Sequence, residues 1–363
     1  MKNMLSQKFP PDLSSIFDEE LANQLANTQG ALGRLSQLSP LLPNPDLLMR
    51  PILAKEAESS SQLEGTQASL EDAYKIDLVE QTPEKRNEAQ EIRNYEQAML
   101  NGLKLLKQYP LNNFLIRSIH KTLMSHVRGK DKYPGQFRPD NVYIGQKGTN
   151  IDAARYVPPD ATHIPQLMDD FERYLSQKGN TNILIMCGVL HYRFEAIHPF
   201  KDGNGRVGRL LISLFLIDRG LLSSPILYPS GFFERHKQRY MSALSKVDKN
   251  ENWRSWLLYF LKGIENQSSV SLKIGLKIHN LFKRARKLIE KERASMNLIR
   301  VLEYTFKQPY ISAPRLRAIN IPQASGYRYL NILAKKGLLK EIGTWHKQKV
   351  YANEKLLSIL RKI

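Results

Sequence analysis

The chain has 363 residues, of which 42% are hydrophobic, 25% charged and 9% aromatic; this excludes a disordered protein and leaves room for two or three domains. A formal net charge of +19 points to polyanionic partners, either a nucleotide or nucleic acid. The single cysteine, Cys187, excludes an internal disulfide, and no apolar run is long enough to span a bilayer, so a cytoplasmic protein without a membrane partner is expected.

In chain order, Pro10, Pro11, Pro40, Pro43, Pro45 and Pro51 break up the first 51 residues, and Leu, Ala and Leu at helical spacing predict a helix over 21–38. A second helix is expected over 52–63, stopped by Gly65. Ser60 and Glu64 lie one turn apart there, on one face. Taken alone, Glu64 is an ordinary solvated glutamate, slightly opposed by the helix dipole. Amphipathic helices follow over 87–106 and 113–127; His120 and His126 on the latter have no partner ligand at metal spacing and read as structural or solvated. Two β-prone segments around the Gly/Asn turn at 145–150 predict a hairpin over 135–159, with Val142, Tyr143 and Ile144 on one arm and Tyr156 and Val157 on the other. Residues 167–175 are amphipathic, and 182–196, containing Cys187, are strongly apolar, so that thiol is packed rather than reactive.

The densest chemistry comes next, in His198-Pro199-Phe200-Lys201-Asp202-Gly203-Asn204-Gly205-Arg206-Val207-Gly208-Arg209. A Gly-Asn-Gly turn feeding a helix presents unpaired N–H groups and the positive dipole end, which is an anion site. Arg206 and Arg209, three apart, can reach one polyphosphate. Asp202 is placed to hold a magnesium ion beside phosphates, and His198 is the candidate general base. Beyond the apolar helix at 210–217, helical spacing runs through 231–247 with Tyr240 half-buried, and Trp253, Trp256 and Phe260 mark a core face. Residues 273–293 read as a basic linker helix. Residues 295–363 carry 13 Lys and Arg against 3 Asp and Glu and read as a helix at 297–306, a second opened by 312–316, a third at 323–336, and a two-stranded wing turning at Gly343-Thr344.

The 198–209 stretch resembles the Fic family, whose motif His-x-Phe-x-[Asp/Glu]-Gly-Asn-Gly-Arg-x-x-Arg it matches in full. The resemblance implies a mainly α fold with a β-hairpin flap, and a protein adenylyltransferase moving AMP from ATP to a Ser, Thr or Tyr hydroxyl of a protein, itself included. Gly205, where the family's phosphotransferase branch carries Lys, speaks against that branch. On this reading His198 is the base, Asp202 holds Mg²⁺, Gly203, Asn204, Gly205, Arg206, Val207, Gly208 and Arg209 bind the phosphates, and Tyr240 lies near the nucleoside. Residues 60–65, Ser-Ser-Gln-Leu-Glu-Gly, resemble the family's inhibitory motif, which implies that Glu64, with Ser60, takes Arg209 from the γ-phosphate. The hairpin would be the flap that docks a target by strand addition. The domains expected are an N-terminal helical region (1–110) with the inhibitory helix at 52–65, a catalytic core (111–265), the linker (266–294) and a module (295–363) resembling a winged helix. Ser325, Tyr327, Arg328 and Asn331 on its third helix make DNA a candidate partner, with Arg315, Arg317, Lys335 and Lys347 toward phosphates. The resemblance also makes a homodimer an expectation. A nucleotide-sensing transcription regulator, and a hydrolase removing AMP from proteins, stand as alternatives.

Overall fold

The computed structural model describes residues 8–38, 40, 44–125, 132–145, 154–177, 181–290 and 295–362. Helix α1 (Glu19–Ser36) starts at Asp18, whose side chain accepts from the Leu21 amide, and lays Leu21, Leu25, Leu32 and Leu35 against α11 (Trp253–Glu290). Helix α2 (Asp46–Leu63) begins six residues earlier than expected and takes Pro51 inside it. A proline there removes a backbone hydrogen bond, but α2 is packed by α4 (Pro83–Leu106), α9 (Ser230–Arg235), α11 and α12 (Met296–Lys307), so burial outweighs the break. Short helix α3 (Leu70–Lys75) is held by a capping box between Ser69 and Asp72.

The centre is an antiparallel pair, α7 (Ile183–Ile197) and α8 (Asn204–Asp218), buried almost throughout and flanked by α4, α5 (Asn113–Leu123), α6 (Ile164–Ser176) and α11. Cys187 is buried on α7, as expected of a packed thiol. Gly188 lets α11 approach α7: Trp256 Nε1 donates to the Gly188 carbonyl at 2.9 Å. The helix expected over 231–247 is broken at His236 into α9 and α10 (Lys237–Asn250).

The expected linker helix is the second half of α11, which runs unbroken for 38 residues and buries Ile274, Ile278, Phe282, Ala285 and Ile289. The apolar stripe continues through both halves, so the basic residues line its outer face and the boundary expected at 265/266 falls inside one helix. After α12 come β1 (Tyr310–Ser312), a 3₁₀ stretch (Ala313–Ile319), α13 (Gln323–Lys335), β2 (Lys340–Trp345), β3 (Gln348–Ala352) and α14 (Glu354–Arg361), an order consistent with a winged helix. The sheet order is β1-β3-β2, all antiparallel. The wing turns at His346 and Lys347, both at positive φ, rather than at Gly343-Thr344, which lie within β2 beside a register shift. Neither β1 nor α14 was legible in the pattern: three residues are too few for a period, and α14 is short.

Candidate active site

Two left-handed residues shape the loop between α7 and α8. His198 (φ 52°, ψ 58°) closes α7, its amide donating to the Phe194 carbonyl, and Gly203 (φ 76°) opens α8. Asn204, 2% exposed, clamps the loop: its Oδ1 accepts from the Phe200 amide and its Nδ2 donates to the Phe200 carbonyl, both at 2.8 Å. From outside the loop, Arg138 donates from its amide to the Pro199 carbonyl and from Nε to the His198 carbonyl. His120 stacks on Phe200 with ring centroids 3.7 Å apart. Its Nδ1 accepts from the Gly135 amide, which leaves Nε2–H to donate to the Asp202 carbonyl at 3.0 Å. Burial holds the His120 pKa at about 4, so it stays neutral. His120 and Arg138 thus hold the loop from below; the only sign of His120 in the sequence was a polar residue on an apolar helical stripe. His126 lies outside the described residues.

Above the loop opens a cavity of about 900 Å³ whose wall includes Glu64, His198, Gly205, Arg209 and Tyr240. His198 Nδ1 lies 3.3 Å from the Glu195 carbonyl, which orients Nε2 as the free base position. Burial lowers its pKa to about 4, so the imidazole is neutral at pH 7. Arg209, 2% exposed, is held on three sides: Nε donates to Ser60 Oγ (2.8 Å), and Nη2 to the Ser60 carbonyl (2.9 Å) and Glu64 Oε1 (2.7 Å). Burial alone would raise the Glu64 pKa, but the Arg209 charge and hydrogen bond outweigh it and leave Glu64 ionised, below its usual value. A β-carbon on Gly205 would overlap Glu64 Oε1, so the carboxylate sits on the α8 N-terminus where an anion would rest.

Other expected residues lie apart from this centre. Arg206 is turned to the side, its Nη1 3.3 Å from Glu91 and its Nη2 3.5 Å from Asp202. The Asp202 Oδ1 accepts from the Gly203 amide at 2.6 Å, and the side chain remains 45% exposed. Val207 and Gly208 are not in the cavity wall: the Val207 amide donates to the Gly203 carbonyl, its side chain is 0% exposed, and Gly208 packs on Glu195 and His191. Tyr240 keeps its ring on the cavity wall while its hydroxyl pairs with His191 Nε2 at 2.8 Å. Glu195, unmarked by the sequence reading, lines the cavity with its pKa raised by burial to about 7 and its Oε1 unpartnered.

Of the expected hairpin, residues 146–153 lie outside the described residues; among the described ones the arms meet in an antiparallel bridge between Ile144 and Tyr156. Both line the cavity, and the Tyr156 hydroxyl donates to the Ala196 carbonyl at 2.8 Å. Val142 is half-buried, and Tyr143 and Val157 are exposed. In the C-terminal unit Arg328 and Asn331 are exposed and Ser325 and Tyr327 half-buried, while Arg315 pairs with Asp77 at 3.0 Å.

Among the described residues no cluster of three His, Cys, Asp or Glu can hold a metal. Asp202, one exposed carboxylate beside a helix N-terminus, suits a magnesium ion that brings phosphates as its other ligands. No helix of the described residues is long and apolar enough to cross a membrane.

A neutral imidazole and a buried arginine thus flank the N-terminus of a buried helix in a mainly helical protein. The particular family is shown by comparison: the Fic/DOC family N-terminal profile matches residues 22–104 and the Fic/DOC family profile residues 110–216, and the chain belongs to that family. Among curated relatives, the chain is 32% identical over 119 residues to "Probable protein adenylyltransferase aq_aa38" of Aquifex aeolicus, covering 32% of this chain and 35% of that protein. It is 31% identical over 138 residues to protein adenylyltransferase Fic of Drosophila melanogaster, covering 38% of this chain and 25% of that one. The matches thus span about a third and a quarter of those relatives' lengths. A crystal structure of a Fic family protein from Desulfovibrio desulfuricans shares the fold over 93% of this chain and 96% of its own, with a TM-score of 0.58 at 19% identity. A Fic domain containing signaling protein from Bacteroides thetaiotaomicron gives 0.55 over 69% of this chain and 96% of its own, at 18% identity.

Proposed function

We propose that the chain is a protein adenylyltransferase, moving AMP from ATP to a Ser, Thr or Tyr hydroxyl of a protein, and that Glu64 restrains it. His198 Nε2 takes the hydroxyl proton as that oxygen attacks the α-phosphorus and the bond to pyrophosphate breaks. The amides at Asn204–Arg206 and the α8 dipole cradle the leaving phosphates, and Arg206 and Arg209 neutralise them. Magnesium, held at Asp202, would supply further neutralisation of the phosphates. Tyr240 offers its ring to the nucleoside. The bridge of Ile144 and Tyr156 beside His198 supports docking of an extended target segment over the cavity, with Val142, Tyr143 and Val157 on the exposed arms.

The observation that carries this reading is the Glu64–Arg209 pair, 2.7 Å long and seated over Gly205. While it stands, the guanidinium that would receive a terminal phosphate is occupied and the anion seat is filled by a carboxylate. Incubation of wild type and Glu64→Gly with α-labelled ATP and magnesium, followed by mass spectrometry, tests it: several-fold more AMP on the variant is expected. Equal labelling would remove Glu64 from the role, and loss of AMP from a pre-labelled protein, faster in wild type, would favour the hydrolase. The C-terminal unit acts, on this reading, as a recognition module presenting Arg328 and Asn331 to DNA or protein.

A further inference from the structure

Arg315, set aside by the sequence for a nucleic-acid phosphate, lines a second cavity of about 580 Å³ between α3–α4 and the C-terminal unit. No residue of its wall is shared with the cavity above His198. Three guanidinium groups line it: Arg50 from α2, Arg93 from α4 and Arg315 from the 3₁₀ stretch. Against them stand two acids. Asp77 is spent on Arg93 (2.8 Å) and Arg315 (3.0 Å), and Glu96, raised by burial to about 7, is near half protonated in neutral solution. Positive charge therefore exceeds negative on this wall. Two of its polar atoms have no hydrogen-bond partner, Arg50 Nε and the hydroxyl of Tyr74, a side chain 4% exposed. Buried donors of this kind are almost always satisfied in folded proteins, and here they occur together beside a void.

We propose that this cavity is a second ligand site, for a small phosphate-bearing molecule of nucleotide size. Guanidinium forks match phosphate oxygens in pairs, and charge-assisted hydrogen bonds are the strong ones. The volume falls within the range of small-molecule sites, about 300–1,000 Å³. Tyr74 and Tyr304 add aromatic side chains to the wall for the body of the ligand.

Titration calorimetry of the full chain with ribose 5-phosphate, without magnesium, tests this. One-to-one binding is expected. Arg315→Gln and Tyr74→Phe should each weaken it about tenfold, while Arg209→Lys, in the first cavity, leaves it unchanged. Tyr74→Phe deletes an oxygen that has no partner, so its melting temperature should match wild type and its binding loss cannot be laid to unfolding. Absence of saturable binding, binding abolished by Arg209→Lys, or full-strength binding in Tyr74→Phe would each overturn the proposal.

Discussion

At His198 the backbone is left-handed, a state that costs a non-glycine residue free energy and persists only when its surroundings impose it. Here Arg138, Asn204 and His120 do so, by hydrogen bonds to the loop that carries it. Removing the base while keeping this frame should separate chemistry from binding: His198→Ala is expected to lower AMP transfer by about 10²–10⁴-fold with ATP affinity nearly intact. Because the imidazole titrates at about 4, kcat/KM should lose its base only as pH falls toward that value and stay level with respect to His198 from pH 6 to 8. A pH–rate profile with a limb near 6.5 would mean that the histidine is not desolvated. Gly205 gives a second residue-scale test. A β-carbon there displaces the Glu64 carboxylate but also fills the proposed phosphate seat, so Gly205→Ala should break the Glu64–Arg209 pair without raising labelling, unlike Glu64→Gly. Comparing AMP incorporation in the two variants checks it.

Among the elements, α7 and α11 set the depth of the site, because α7 delivers His198 and α11 backs it. Their contact depends on the missing side chain at Gly188: an added β-carbon would lie 2.9 Å from Leu257 Cδ2 and 3.0 Å from Phe260 Cδ1. Overpacking of this kind costs about 1–3 kcal/mol, so Gly188→Ala should lower the melting temperature by several degrees in a calorimeter. Helix α2 has a comparable part on the opposite side. It brings Glu56 to the Ser230 amide at 2.9 Å, anchoring α9, and its last turn carries Ser60 and Glu64. Ser60 and Glu64 therefore ride on a helix packed on several sides, and release of Arg209 is expected through side-chain movement of Glu64 at the exposed helix end.

For the whole molecule, two sets of buried ionisable groups oppose each other. Glu56, Glu96 and Glu195, each raised by burial to about 7, bind protons in the folded state that the unfolded chain releases above about 4.5, so their contribution is lost as pH rises through 7. His120, His191 and His198, lowered by burial to about 4, 3 and 4, refuse protons that the unfolded chain binds below 6.5, so their contribution is lost as pH falls from 6.5. The slopes oppose between 4.5 and 6.5, and the melting temperature should be nearly level from pH 5 to 6.5. Glu96→Gln isolates one member: at pH 8 it removes a buried carboxylate and should raise the melting temperature by about 2 °C or more, with no gain at pH 5. Equal shifts at both pH values would show that Glu96 is not held neutral.

The 198–209 stretch, the apolar α7–α8 pair and the basic C-terminal unit were legible in the residues, because each is written locally, as a turn with fixed glycines, a continuous apolar run or a charge excess. Only the tertiary structure decided the rest. Glu64 and Arg209 are 145 residues apart and meet because α2 packs on α8. Val207 and Gly208 face inward because the helix turns them away from the cavity, and Arg315 is drawn to Asp77 by packing against α3–α4. Short motifs encode backbone conformation and chemical type; which side of an element meets which neighbour depends on burying apolar surface across the whole chain, and no local pattern contains that.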